Sequence, residues 1–282
     1  MKKDMQRISF VPSKAFRVQI AKMTTASVGP AVLPDEDRIE TLCHALGAVR
    51  ERVDAIGSER QVRLVAVSKL KPASDIYALY EKSGQRHFGE NYVQELVEKA
   101  AVLPKDIQWH FIGSLQSNKC GLLANIPNLF AVETIDNVKK ARRLNEARKA
   151  ASEGRSGVGK LKVFIQVNTS GEDNKSGASP GEEVLDVAKY ITTECEFLEL
   201  QGLMTIGSIA RSHAVAGGES ENPDFSTLMK EKHAIESAVP KVGLLELSMG
   251  MSEDYEVAIR QGSTNVRVGS TIFGARPPKT SI

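Results

Sequence analysis

The sequence predicts a single (β/α)8 barrel of the TIM type, and three observations carry that expectation. Short apolar runs rich in β-branched residues recur eight times along the chain. A helical pattern follows almost every one, and such alternation gives parallel strands joined by right-handed crossovers. Eight such units in roughly 240 residues is the barrel count, whereas a doubly wound open sheet usually carries a glycine-rich turn after its first strand. Lys69-Leu70-Lys71-Pro72 stands in that place.

Residues 1–34 precede the alternation. Lys2, Lys3, Arg7, Lys14, Arg17 and Lys22 are basic, Asp4 is the sole acid, and Ser and Thr are frequent. This composition fits a mitochondrial transit peptide. A disordered tail, or a false start with Met23 as the initiator, competes with that reading, and the weak amphipathic pattern favours these two. The barrel is expected over 35–282. It opens with a helix over 35–56, where Ile39, Leu42, Cys43, Leu46, Val49, Val53 and Ile56 recur at helical spacing. Asp35, Glu36 and Asp37 suit its first turn, and Gly57 can end it.

Strands are then expected at 62–68, 86–88, 109–112, 129–132, 162–167, 200–206, 244–247 and 265–268. Helices are expected over 73–83, 92–103, 115–125, 137–151, 181–193, 224–237 and 252–261, with a last short one before Arg276-Pro277-Pro278. Residues 154–160 read as a Gly/Ser/basic connector and 209–222 as a polar insertion. Trp109 reads as core.

Composition excludes several classes. The chain has 282 residues, 41% hydrophobic and 26% charged, with a net charge of +2. That is an ordinary globular profile with no electrostatic case for nucleic acid or an acidic membrane. No run approaches the roughly 18 apolar residues of a membrane span. Cys43, Cys120 and Cys195 are odd in number and widely spaced, which points to a reducing compartment rather than a disulfide framework. The five histidines show no metal-ligand spacing.

In a barrel the site lies at the C-terminal ends of the strands. The residues there are Lys69; Gly89, Glu90 and Asn91; Gly113 with Gln116, Ser117, Asn118 and Lys119; Glu133 and Thr134; Asn168 with Lys175 and Ser176; Thr205; Ser248, Met249, Gly250 and Ser252; and Arg267, Gly269 and Ser270. Lys69 follows a buried-type strand directly. Burial there would lower its pKa and leave an amine able to attack an aldehyde. The competing reading is a loop lysine with its head in water. The strand 8 end, Val268-Gly269-Ser270-Thr271, can open a short helix whose amides and hydroxyl meet a phosphate, with Ser252 adding a second hydroxyl. Simple helix capping is the alternative. Strands 8 and 1 adjoin in a closed barrel, so the two features together describe a phosphorylated aldehyde, and pyridoxal phosphate fits. Arg267 breaks the apolar run of strand 8. Facing the mouth, it would donate to a pyridine nitrogen and keep it unprotonated; facing outward, it would pair with a helix acid.

Longer motifs carry a family resemblance: Ala66-Val67-Ser68-Lys69 with Lys71-Pro72; Phe88-Gly89-Glu90-Asn91-Tyr92-Val93-Gln94-Glu95; Trp109-His110-Phe111-Ile112-Gly113 with Leu115-Gln116-Ser117-Asn118-Lys119; Gly202-Leu203-Met204; Leu247-Ser248-Met249-Gly250-Met251-Ser252; and Val266-Arg267-Val268-Gly269 with Ile272-Phe273-Gly274-Ala275-Arg276. With these the chain resembles the pyridoxal phosphate homeostasis protein family, whose fold is the alanine racemase N-terminal-domain type of barrel. The resemblance implies that Lys69 carries pyridoxal 5′-phosphate as a Schiff base. It implies that Ser252, Gly269 and Ser270 hold the phosphate and that Arg267 faces the ring nitrogen. Ser270 replaces the Thr often found there and keeps the hydroxyl. Asn91, Met204 and Ser248, within the matching motifs, complete the candidate cofactor-binding set. Residues 1–34 and 211–222 fall outside the match.

Two functions of different class follow. One is a non-catalytic protein that binds, buffers and delivers the cofactor in vitamin B6 homeostasis. The other is an amino-acid racemase, which needs two bases on opposite faces of the cofactor. The two-domain racemases supply a tyrosine from a domain after the barrel, and the chain ends at Ile282 soon after its last barrel helix. Tyr92 or Tyr255 would have to substitute. The family carries no established reaction, which favours the carrier. A Lys69 aldolase acting on a sugar phosphate is weaker, since Arg267 and the motifs favour a pyridine ring. The carrier reading expects pyridoxal-phosphate-dependent apoenzymes as recipients, a monomer, and a cytoplasmic or mitochondrial location.

Overall fold

The computed structural model describes residues 32–275, less 59, 154–157, 219 and 241. The expected tail up to residue 31, part of the 154–160 connector and the closing Arg276-Pro277-Pro278 lie outside the described residues. In chain order the elements are α1 Glu36–Ile56, β1 Arg63–Val67, α2 Ala73–Ser83, β2 His87–Glu90, α3 Val93–Val102, β3 Gln108–Phe111, a 3-10 turn Ser117–Lys119, α4 Cys120–Ala124, β4 Leu129–Ile135, α5 Val138–Ser152, β5 Leu161–Gln166, α6 Glu182–Glu194, β6 Leu198–Met204, α7 Ile209–Ala216, α8 Pro223–Ala238, β7 Glu246–Ser248, α9 Tyr255–Arg260, β8 Asn265–Val268 and α10 Ser270–Phe273.

Local chemistry explains the helix ends. The Asp35 carboxylate accepts from the Arg38 amide at 2.8 Å and caps α1, whose buried stripe is Ile39, Leu42, Leu46, Val49 and Val53. Asn137 caps α5 in the same way, and Asn222 caps α8, where Pro223 takes the first turn. Gly84 ends α2 at φ +65°, a conformation that costs glycine nothing.

The eight strands are parallel and close in sequence order, β8 returning to β1 with Leu64, Val65 and Ala66 opposite Val266, Arg267 and Val268. Side chains alternate between two environments. One set, including Leu64, Ala66, Phe88, Trp109, Phe111, Val132, Val163, Ile165, Leu203, Leu247, Val266 and Val268, packs in the main core against the helices. The other set points inside the barrel. There Ala131, Phe164 and Met204 form a small apolar cluster, and beside it lie the polar side chains of His110, Glu133, Ser248, Asn265 and Arg267, all buried.

The differences from expectation are local. The first part of the region 209–222, expected as a polar insertion, forms α7, Ile209–Ala216, where the buried Asp224 carboxylate accepts from the Ser208 amide at 2.7 Å and from Arg211 at 2.5 Å. Strand 7 begins two residues late and leaves Leu244 91% exposed; pairing with β6 starts only where Glu246 meets Gly202. The helix expected over 115–125 divides into the 3-10 turn and α4. β2 and β4 run further than expected, so Gly89, Glu90, Glu133 and Thr134 lie within strands and not after them.

Candidate functional site

Lys69 leaves the end of β1 on a turn fixed from several sides. The Ser68 amide bonds the Gly89 carbonyl at 2.9 Å, and the Lys71 amide bonds the Ser68 carbonyl at 3.1 Å. Leu70 adopts φ +61°, an uncommon conformation for a side chain of this kind. Its amide donates to Glu95 Oε1 at 2.7 Å, which anchors it there. Behind the turn the buried Lys99 ammonium contacts the Ser68 carbonyl at 2.8 Å, Glu90 at 2.7 Å and Glu95 at 2.6 Å. Ser68 Oγ also donates to Glu90 at 2.6 Å. Lys69 itself is half-buried, so the burial expected for it is partial.

The lysine opens on a cavity of about 350 Å³ at the C-terminal ends of the strands. Its wall includes Val67, Lys69, Asn91, Ile112, Met204, Ser252, Arg267, Gly269 and Ser270. Seven of the eight expected cofactor-binding residues therefore meet there, from β1, β2, β6, β8 and the loop after β7. Ser248 is the exception. Its hydroxyl lies beneath Arg267, fully buried, and touches the guanidinium instead of the cavity.

Gly269 lies where a Cβ would come within 3.3 Å of both the Cβ and the carbonyl oxygen of Val67. A side chain there would crowd the cradle between β8 and β1. Its amide donates to Ser252 Oγ at 3.3 Å, so this N–H, expected to face an anion directly, is linked to the serine hydroxyl. Ser270 begins α10 with an exposed hydroxyl on the cavity wall. Arg267 turns inward, against the outward alternative. Nη1 donates to Ser248 Oγ at 2.5 Å and Nη2 to the Thr205 carbonyl at 2.7 Å. Burial lowers its pKa, and Glu133 and Asp254 pull it back up; a guanidinium keeps its proton in such a site.

The donor set fits pyridoxal phosphate: one amine at the end of β1, two hydroxyls and a glycine cradle for the phosphate, and one arginine lining the wall. A second cavity of about 240 Å³ shares Asn91, Ile112 and Ile206 with the first, and Gly113, Thr134, Asn168, Lys175, Ser176 and Thr205 line it. Gln116, Ser117, Asn118 and Lys119 line neither.

Sequence reasoning missed the polar barrel interior. His110 Nδ1 lies 2.6 Å from Glu133, and His87 Nδ1 lies 2.9 Å from His110 Nε2. The signal was available, since His110 between Trp109 and Phe111, and Glu133 within Ala131-Val132-Glu133-Thr134-Ile135, break apolar runs just as Arg267 does. Among the described residues no cluster could hold a metal ion, and no helix is long and apolar enough to cross a membrane.

Comparisons with known proteins agree with this architecture. The family model "Alanine racemase, N-terminal domain" matches residues 45–277. The pyridoxal phosphate homeostasis protein of Schizosaccharomyces pombe is 47% identical over 241 residues, 85% of this chain and 94% of that protein. Among solved structures, PipY of Synechococcus elongatus with PLP bound has a TM-score of 0.68 at 29% identity, covering 83% of this chain and 100% of PipY. Alanine racemase from Streptomyces coelicolor shares the fold, with a TM-score of 0.66 at 16% identity over 85% of this chain and 59% of that one. From this breadth of match, the chain belongs to the pyridoxal phosphate homeostasis protein family.

Proposed function

We propose that residues 35–282 bind pyridoxal 5′-phosphate covalently and reversibly at Lys69, and that the protein buffers and delivers this cofactor without turning over a substrate of its own. The observation that carries the reading is the convergence of Lys69, Ser252, Arg267, Gly269 and Ser270 on one cavity, with the lysine and the glycine cradle at the ends of hydrogen-bonded neighbours β1 and β8. The name of the fission yeast relative and the PLP held by PipY support it.

The bound group brings a reactive aldehyde and a ring able to withdraw electrons. Lys69 supplies the amine that captures the aldehyde. Ser252, Ser270 and the start of α10 hold the phosphate through hydroxyls and amides. Arg267 offers donors only, so a ring nitrogen facing it accepts and stays unprotonated, which weakens the ring as an electron sink. Asn91 and Met204 would line the space left for the ring.

The racemase reading needs a second base at the cavity. Tyr92 is 50% exposed and Tyr255 is buried at the start of α9, and neither lines the cavity. Of the other titratable groups on the wall, Glu253 pairs with His213 at 3.0 Å, and Asp254 accepts from Ser212 at 2.5 Å and from the Met251 amide at 2.7 Å. These engagements favour the carrier. The same reading takes pyridoxal-phosphate-dependent apoenzymes as recipients, acting from a monomer in the cytoplasm or mitochondrion.

Borohydride trapping followed by peptide mass analysis tests the site. The expected result is one cofactor adduct on Lys69 and its loss in Lys69→Ala. An adduct elsewhere, or none, overturns the assignment. Incubating the loaded protein with single amino acids, followed by chiral analysis, should show no change of configuration; catalytic interconversion would make it a racemase.

A further inference from the structure

Arg267 is the end of a hydrogen-bonded chain that crosses the barrel interior. Ser248 Oγ accepts from Arg267 Nη1 at 2.5 Å and from Asn265 Nδ2 at 2.9 Å. A hydroxyl has two lone pairs and one proton. With both lone pairs taken, the proton goes to Glu133 Oε2, which it meets in a short contact. The other oxygen of Glu133 receives His110 Nδ1 at 2.6 Å. His110 Nε2 lies 2.9 Å from His87 Nδ1; in a neutral imidazole with its proton on Nδ1, it accepts from His87. Every donor in the chain points toward Glu133.

This polarity requires an ionised Glu133 in a fully buried position. Burial alone would raise its pKa, but the hydrogen bond from His110, the nearby Arg267 charge and the Ser248 hydroxyl outweigh that and hold it below the usual range. At the far end, burial and the neighbouring His110, Arg63 and Lys162 push His87 down to about 3, so it is a neutral donor. Arg63 on β1 and Lys162 on β5 both sit over the Phe130 ring, at 4.9 and 4.6 Å, which places cations on that side of the relay. The groups facing Glu133 are thus His110 from β3, Ser248 from β7, and Asn265 and Arg267 from β8. The buried charge is matched by Arg267 through one bridging hydroxyl, an arrangement that is costly to break from either side.

We propose that Glu133, acting through Ser248 and oriented by His110, is a positioning residue that holds the Arg267 guanidinium at the floor of the cofactor cavity. The inference rests on the pyridoxal phosphate reading for its consequence, though not for its geometry. Among the described residues, the other hydrogen bond of the Arg267 guanidinium is to the Thr205 carbonyl. Without the carboxylate, the serine proton loses its acceptor and the hydroxyl is free to turn. The guanidinium then loses its register with the ring nitrogen.

Two measurements separate this inference from the cofactor assignment. The first uses protein without cofactor and ¹⁵N-labelled histidine. The wild type should show His110 protonated at Nδ1 with a strongly deshielded proton, and Glu133→Gln should lose that signal. Absence of the signal in the wild type overturns the chain itself, whether or not the cofactor binds. The second uses the loaded protein. Glu133→Gln and Ser248→Ala should each retain the cofactor at least about tenfold less tightly, the scale of one lost charge-assisted hydrogen bond, and should shift the bound cofactor's absorbance band and its pH profile. The serine variant removes one atom and keeps the test open should the glutamine variant fail to fold. Folded variants that retain the wild-type band, pH profile and affinity overturn the positioning role. A wild type that takes up no cofactor overturns the cofactor reading alone.

Discussion

Glu90 lies behind the Lys69 turn with one carboxylate oxygen lacking a hydrogen-bond partner. Burial pushes its carboxyl up to about 7, against the pull of the Lys99 ammonium and of hydrogen bonds from Lys99 and Ser68. A folded-state pKa above the unfolded one means that the native protein holds the proton more tightly. Glu90 therefore contributes stability below the unfolded value near 4.5, and that contribution is lost as pH rises through about 7. Denaturant unfolding at a series of pH values should show this fall for the wild type and a flatter profile for Glu90→Gln. An unchanged profile in the variant would remove Glu90 as its source. Single residues were unevenly legible in the sequence. Arg267 stood out because a lone charge between valines breaks the apolar run of its strand, though whether it faced the mouth or a helix acid stayed open. His110 and Glu133 carried the same mark, but their meaning depends on three other strands, and no local pattern supplies those.

At the level of elements, the β2–β3 corner sets the inner edge of the cavity through a close backbone approach. A Cβ on Gly113 would fall 1.9 Å from the Asn91 carbonyl oxygen, so only glycine allows the two loops to touch. Gly113→Ala should destabilise the barrel by about 1–3 kcal/mol, the usual cost of forced overpacking, and should weaken cofactor retention by displacing Asn91. Thermal unfolding and a cofactor titration check both effects; an alanine variant with unaltered behaviour would show that the corner yields freely. Elements with strong periodicity, such as α1 and β8, were legible nearly to the residue. α7 was not, because its eight residues carry a weak apolar pattern and draw their stability from Asp224. The start of β7 was blurred for a related reason, since an apolar run reveals a strand but not where its neighbour begins to pair.

For the whole molecule, counting eight strand–helix units was enough to reach the closed barrel, since right-handed crossovers leave few other ways to arrange parallel strands. The family model matches from within α1 onward, beginning at residue 45. We expect a chain lacking residues 1–31 to keep the thermal midpoint and cofactor affinity of the full chain; a marked drop in either would make the segment part of the barrel's support. Closure also has a consequence in time. β1 is among the first parts of the barrel to leave the ribosome, and β8, its hydrogen-bonded neighbour, is the last of the eight barrel strands among the described residues to emerge. A nascent chain owns Lys69 long before it owns Gly269 and Ser270. A ligand that bridges the two strands is held only after synthesis is complete, and by binding the closed form it then stabilises the finished ring. Truncated products would carry the amine without the grip, so retained cofactor certifies a complete barrel.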